Sequence, residues 1–156
     1  MESGQTFDIH ISGYQSSIEE ARRVRTVPSA ELPSLSDEER EAARKLSVPA
    51  ESYQRMKLAG AYGRQRMEKK AKTLGELVQD ILVRRLGADY RLEDVAWQGD
   101  RLRWLLRVHA PNLGRTVGVP VPFELADDVL DSGVLSAVSS LSDLMLAGVG
   151  RDEMIP

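Results

Sequence analysis

Cysteine is absent from this chain of 156 residues, and histidine occurs only twice, at His10 and His109. Without thiolates the protein has no disulfide, no cysteine nucleophile and no cysteine-rich zinc site. The two histidines are not spaced as a pair of metal ligands, so we expect structural or solvated roles for both. We therefore expect no metal and no cofactor, in a reducing compartment such as the cytoplasm.

Long apolar runs are missing too, because no stretch approaches the roughly 20 residues that cross a bilayer. The first residues have neither the basic start nor the apolar stretch of a secretory signal. Hydrophobic residues still make up 42% of the chain and charged residues 29%, which is typical of a folded globular protein. The sequence thus predicts a cytoplasmic protein that does not bind membranes.

Catalytic motifs are also lacking. The chain has no G-x-S-x-G nucleophile turn, and its glycines match neither of the two common nucleotide-binding patterns. Its one carboxylate cluster consists of Glu124, Asp127, Asp128 and Asp131. These acids fall in the first turns of a predicted helix, where they stabilise the helix dipole, and we favour that explanation over a divalent-cation site. We expect no catalytic residue and predict that the protein is not an enzyme.

The periodicity of the apolar residues predicts an α+β fold. In residues 35–87 the apolar residues recur every three to four positions, as they do in helices. Ser36 and Glu39 have the spacing of a capping box. In residues 90–121 apolar and polar residues alternate, which predicts a small antiparallel meander of three strands. Two C-terminal helices follow, the first opened by Pro122.

The helical part is predicted to contain a second helix that starts at Pro49 and an interruption at Thr73 to Gly75. Along the second helix an apolar stripe recurs at intervals of three and four. Its glycines would let another backbone approach closely. The stripe consists of Tyr53, Met56, Gly60, Gly63 and Met67.

A two-residue turn at Gly99 and Asp100 is predicted between the first two strands of the meander. Counting outward from that turn, Trp97 opposes Leu102. This register collects six apolar side chains on the buried face, namely Val95, Trp97, Leu102, Trp104, Leu106 and Val108.

Residues 1–34 are predicted to form an extended arm in front of a single domain, residues 35–156. Three apolar residues near the start of the arm alternate with polar ones, as in a half-buried strand. A lone strand cannot satisfy its own backbone hydrogen bonds, so this strand needs a sheet edge, which can belong to another chain. The candidate partner-binding residues are Phe7, Ile9 and Ile11.

Charge is unevenly distributed along the chain. Residues 1–53 carry a net −4, residues 54–118 a net +7 and residues 119–156 a net −6. A basic middle part can bind nucleic acid or an acidic partner, can be neutralised by the chain's own acidic ends, or can form a solvated face. The densest basic stretch, residues 55–73, contains a single acid, Glu68. Its cations are the candidate anion- or nucleic-acid-binding residues: Arg55, Lys57, Arg64, Arg66, Lys69, Lys70 and Lys72.

One local motif overlaps the start of this stretch and is formed by Ala43, Leu46, Ser47, Val48 and Tyr53. The spacing resembles the helix-turn-helix pattern, in which a helix ends Ala-x-x-Leu, a small residue turns the chain and a valine begins a second helix. The resemblance implies nucleic-acid binding through residues 44–72, although Glu51 would repel phosphate. Similar helix-turn-helix segments occur in phage head-assembly proteins that do not read DNA.

The sequence therefore predicts a non-enzymatic assembly or adaptor protein that binds other protein subunits. We expect a homo- or hetero-oligomer, for which a phage-like assembly is one example. The alternative is a nucleic-acid-binding protein that uses residues 44–72. Affinity for random duplex DNA, and its dependence on salt, separates the two predictions.

Overall fold

The computed structural model describes residues 6–150, and its contacts divide the chain into two compact units. Residues 14–66 form the first, which we call the helical unit. Residues 6–13 and 67–150 belong to the second, which we call the sheet unit. This division cuts across the predicted arm, because residues 6–13 lie in the sheet unit and residues 14–34 lie in the helical unit.

Three α-helices and a 3₁₀ turn at Ser29–Glu31 build the helical unit. Helix α1 spans Ile18–Arg25, α2 spans Asp37–Lys45, and α3 begins at Ala50. Helices α1 and α2 both begin with a capping box, in which a serine and a glutamate satisfy each other's backbone N–H groups. The predicted capping box of Ser36 and Glu39 is thus confirmed.

A tight turn joins α2 to α3. Ser47 takes the left-handed conformation, with φ at 57°. Its backbone N–H donates to the Arg44 carbonyl, and the Val48 N–H donates to the Ala43 carbonyl, both within 3.0 Å. This double closure is the Schellman pattern, which satisfies carbonyl groups that a helix end otherwise leaves unpaired.

Helix α3 spans Ala50–Arg85, so the predicted interruption at Thr73 to Gly75 is wrong. Gly75 is a packing position: a Cβ atom added there would overlap the ring of Phe7. Leu74 and Val78 beside it are fully buried in the sheet unit. Burial of these side chains outweighs the cost of about 1 kcal/mol that a glycine imposes on a helix.

The sheet unit contains one sheet of four strands in the order β1-β2-β3-β4. The strands are β1 (Asp8–Ser12), β2 (Arg91–Gln98), β3 (Arg103–Ala110) and β4 (Arg115–Pro122). Strands β2 to β4 form the predicted antiparallel meander, and β1 adds a fourth, parallel strand beside β2. The α+β class is confirmed, with one strand more than predicted.

The register of the first hairpin differs from the prediction. Trp97 pairs with Trp104 and not with Leu102, and the loop contains four residues, from Gly99 to Leu102. The observed register places the two indole rings 5.0 Å apart, with both side chains buried. Leu102 lies outside the core, 56% exposed and with a left-handed φ of 52°. The other five residues predicted for the buried face do lie there.

The C-terminal helices cover the same unit. Helix α4 spans Phe123–Asp127, continues as a π-helical turn over Asp128–Ser132, and is followed by α5 at Leu135–Gly148. Pro122 lies at the N-cap of α4, close to its predicted position. Within residues 6–150, no helix combines the length and the apolar composition that crossing a membrane requires.

Candidate protein-binding surfaces

The predicted partner-binding residues lie on β1 in the sheet unit, or just before it. Ile9 pairs with Val95 of β2, and Ile11 pairs with Trp97. Phe7 is buried against Gly75, whereas Ile9 and Ile11 are half-buried. The sheet edge that this strand meets therefore belongs to the same chain.

Two predicted anion-binding residues in the helical unit bind backbone carbonyls and acids of that unit. Arg55 Nη1 donates to the carbonyls of Val24 and Val27, at 2.7 and 2.9 Å. Lys57 Nζ donates to the Ser34 carbonyl at 2.9 Å and to Glu39 Oε1 at 3.0 Å. These side chains tie α1, α2 and the connecting segments to α3.

A third tie comes from Arg66. Its Nε lies 2.8 Å from Glu20 Oε2, and its Nη2 donates to the Gln15 carbonyl at 2.6 Å. The Arg64 guanidinium lies over the ring of Tyr14, 5.9 Å from the ring centroid. Both cations therefore hold the segment that leads into α1.

Glu20 is the buried carboxylate of this arrangement. Burial raises the pKa of its carboxyl, but the backbone N–H of Ser17 and the guanidinium of Arg66 outweigh that effect. The net result is a pKa below the ordinary value, so Glu20 is charged at neutral pH. Hydrogen bonds lower the pKa of two further carboxyls. The main donor is the Ser36 backbone for the half-buried Glu39 and the Arg55 side chain for the exposed Glu51.

The other predicted cations lie in the sheet unit. Lys70 Nζ forms an ion pair with Asp127 Oδ1 at 2.8 Å. Lys69 and Lys72 are exposed and have no ion-pair partner among residues 6–150. Four of the seven predicted cations, Arg55, Lys57, Arg66 and Lys70, thus make ion pairs inside their own unit.

The helix-turn-helix-like segment has the predicted two helices and turn, but its apolar positions are unevenly buried. Ala43 is buried and Tyr53 half-buried, whereas Leu46 is 62% exposed. Glu51, at the start of α3, accepts hydrogen bonds from Arg55 and Ser29. An exposed Leu46 does not help to pack the two helices of such a motif together.

In the acidic cluster predicted from the sequence, Asp127 forms an ion pair with Lys70. Across residues 6–150, no three His, Asp or Glu side chains lie close enough to hold a metal ion.

A surface that the sequence did not single out runs between α1 and the first turns of α3. We call this cavity of about 470 Å³ the α1–α3 groove. Ala21, Ala59 and Gly60 are among its lining residues, and a Cβ atom added at Gly60 would meet nothing within 4 Å. Arg25 and Arg55 are its only charged lining residues.

Exposed apolar side chains border this groove. Met56 lines it and is 58% exposed. Ile18 is 76% exposed and lies three residues before Ala21, on the same side of α1. Met56 and Gly60 belong to the predicted apolar stripe of the second helix, so part of the signal was present in the sequence. No periodic pattern marked Ile18.

A second cavity, of about 520 Å³, lies at the first hairpin of the sheet unit. Its lining includes Leu102 and Phe123 together with three charged residues, Arg101, Arg103 and Glu124. The charges of this surface are therefore of both signs.

No protein-family model, curated protein or solved structure matches this chain. The function must therefore be inferred from the geometry of the chain itself.

Proposed function

We propose that this protein is a non-enzymatic assembly or adaptor protein that binds another protein chain in the α1–α3 groove. The observation that carries the proposal is the combination of a groove lined by small residues, exposed Ile18 and Met56 beside it, and arginine as its only charge. Small residues let a backbone approach closely, and apolar rims bind the apolar face of a helix.

Methionine suits a surface of this kind. Its unbranched side chain has three rotatable bonds and adapts to the shape of a bound side chain. Met56 lies one turn before Gly60 on α3, so it can close over a partner helix that rests on Gly60. We expect the partner segment to be an apolar helix with a carboxylate near Arg25.

Nucleic-acid binding has less support. Arg55, Lys57 and Arg66 already bind carbonyls and carboxylates of the helical unit. A phosphate contact would have to break those bonds, so each such cation would add little to affinity. Lys69 and Lys72 remain available, but two phosphate contacts give only a weak and shallow salt dependence.

Photo-crosslinking tests the proposal directly. With a photoreactive residue in place of Met56, we expect a discrete crosslinked protein partner, identified by mass spectrometry, in an extract of cells that express the protein. Gly60→Leu, whose side chain would fill the groove, should abolish that adduct. Ala61→Leu, at the exposed neighbouring position outside the groove, is the matched control and should preserve it.

A DNA-binding measurement addresses the alternative. We expect no submicromolar binding of random duplex DNA at physiological ionic strength. Submicromolar binding that the combined substitution of Arg64, Lys69 and Lys72 by glutamine abolishes would overturn the proposal in favour of nucleic-acid binding.

A further inference from the structure

We propose that the α1–α3 groove binds an acidic amphipathic helix that runs antiparallel to α1, with its acidic first turn beside the last turn of α1. This inference rests on the proposed function, because it names the charge and the direction of the segment that the groove binds.

The direction of the groove follows from two contacts. Arg55 of α3 donates to the carbonyls of Val24 and Val27, at the C-terminal end of α1. Further along α3, a Cβ atom added at Gly63 would lie 3.1 Å from the Gln15 carbonyl oxygen, just before α1 begins. Helices α1 and α3 are therefore antiparallel, and the groove between them runs from the last turn of α1 to its first turn.

The end of the groove at the last turn of α1 is basic. Arg25 and Arg55 line the groove there, and Arg22 lies one turn before Arg25 on α1. Arg22 and Arg25 are exposed, and neither has an ion-pair partner in the part of the chain that the structure describes. Arg55, in contrast, already pairs with Glu51 at 3.0 Å. The guanidinium groups of Arg22 and Arg25 therefore attract carboxylates to this end of the groove.

The other end of the groove is lined by uncharged residues, namely Ser16, Ala21 and Gly60. Ile18, which is 76% exposed, borders it. Glu19 belongs to the same turn of α1 but lies on the opposite side of the helix from Ala21, because two residues of an α-helix are about 200° apart. A bound segment thus meets cations at one end of the groove and an apolar surface at the other.

These two ends determine the chemistry of the partner. A helix that fills the groove needs an apolar face along its length and carboxylates at one end. Carboxylates are most favourable in the first turn of a helix, where they stabilise its dipole. The acidic end of the partner is therefore its N-terminal end. Because that end lies at the last turn of α1, the partner runs antiparallel to α1.

Binding of designed peptides to the full chain tests both the charge and the direction. Three hydrocarbon-stapled helices share one apolar face: the first has two glutamates in its first turn, the second has them in its last turn, and the third has two lysines in its first turn. Stapling keeps all three helical, so their differences report on charge. By fluorescence anisotropy, the first peptide should bind at least about fivefold more tightly than the other two.

Charge reversal at Arg25 tests the basic end of the groove. Arg25→Glu should raise the dissociation constant of the first peptide about tenfold and lower that of the third, because it exchanges attraction for repulsion. Lys45→Glu is the matched control, since it changes the net charge equally at an exposed position of α2 that does not line the groove. It should leave both constants unchanged. Circular dichroism melts establish that both variants fold.

Gly60→Leu separates this inference from the proposed function. It should abolish binding of the first peptide, and Ala61→Leu should preserve it. If all three peptides bind equally and Gly60→Leu abolishes their binding, the groove does not select charge, so the inference is wrong and the proposed function stands.

Three other results would overturn the inference: tighter binding of the second or third peptide, binding of the first peptide that withstands Gly60→Leu, or no binding of the first peptide at about 100 μM. If the Gly60-dependent crosslink persists in such a case, only the charge and direction of the partner are wrong. If the crosslink is absent too, both proposals fail.

Discussion

The two units of this protein are stabilised in different ways. The sheet unit buries large apolar side chains almost completely, among them Trp104, Leu106 and Val108. The helical unit buries few such side chains and is held by Arg55, Lys57 and Arg66, which bind carbonyls and carboxylates. The α1–α3 groove therefore lies in the unit whose stability depends on charged hydrogen bonds.

This difference has a physical consequence for each unit. Apolar burial depends little on pH and is not screened by ions, whereas charged hydrogen bonds respond to pH and to ionic screening. The two tryptophans, Trp97 and Trp104, both lie in the sheet unit, so their fluorescence reports on that unit alone. Hydrogen exchange of residues 14–66 reports on the helical unit.

The largest effect is expected from Trp104→Ala in the sheet unit. The side chain is 1% exposed, and its removal should leave a cavity that costs about 3–5 kcal/mol of unfolding free energy. Denaturant unfolding followed by the fluorescence of Trp97 measures this loss. Leu102→Ala, in the exposed hairpin loop, is the control and should change stability by less than about 0.5 kcal/mol. Equal losses would contradict the description of the core.

A smaller effect is expected from Glu20→Gln in the helical unit. The glutamine keeps an oxygen for the Ser17 N–H but loses the charge that pairs with Arg66, which should cost about 1–2 kcal/mol. Protection of residues 14–66 from hydrogen exchange should fall, and the tryptophan signal should be unchanged. Glu19→Gln, at the exposed neighbouring position, should stay within about 0.5 kcal/mol.

Acid should weaken the helical unit before the sheet unit. The pKa of Glu20 is lower in the folded chain than its ordinary value of 4.5. Its contribution to stability is therefore complete above pH 4.5 and is lost as the pH falls through the lower, folded-state pKa. Hydrogen exchange at pH 3 to 5 checks this loss, which should be smaller in Glu20→Gln. Simultaneous loss of the tryptophan signal would show that the two units lose stability together, contrary to this prediction.

The smallest effect is a gain in stability from Gly60→Ala. Alanine has less backbone entropy to lose than glycine in a helix, and the added methyl group meets nothing within 4 Å, so about 0.5–1 kcal/mol should be gained. Gly63→Ala is the control, because its Cβ would lie 3.1 Å from the Gln15 carbonyl oxygen. Thermal melts should show a gain at Gly60 and none at Gly63. The opposite order would mean that the groove is not open.

Local interactions made part of this structure predictable. The capping box of Ser36 and Glu39 involves residues three apart, and the alternation in residues 90–121 reflects which side of a strand faces the core. These features need only near neighbours and a rule of periodicity. The α+β class, the meander and the C-terminal helices could therefore be derived from the sequence.

Contacts between distant residues decided the rest. Gly75, which weakens a helix, is required here because the ring of Phe7 packs against it. The pairing of Trp97 with Trp104 leaves Leu102 outside the core. The sequence left open whether the cations of residues 55–73 bind a partner, are neutralised within the chain or face solvent, and most of them bind groups that are remote along the chain. Because a one-dimensional pattern records residue types and not their partners, the groove at Gly60 and the exposure of Ile18 emerged only when α1 packed beside α3.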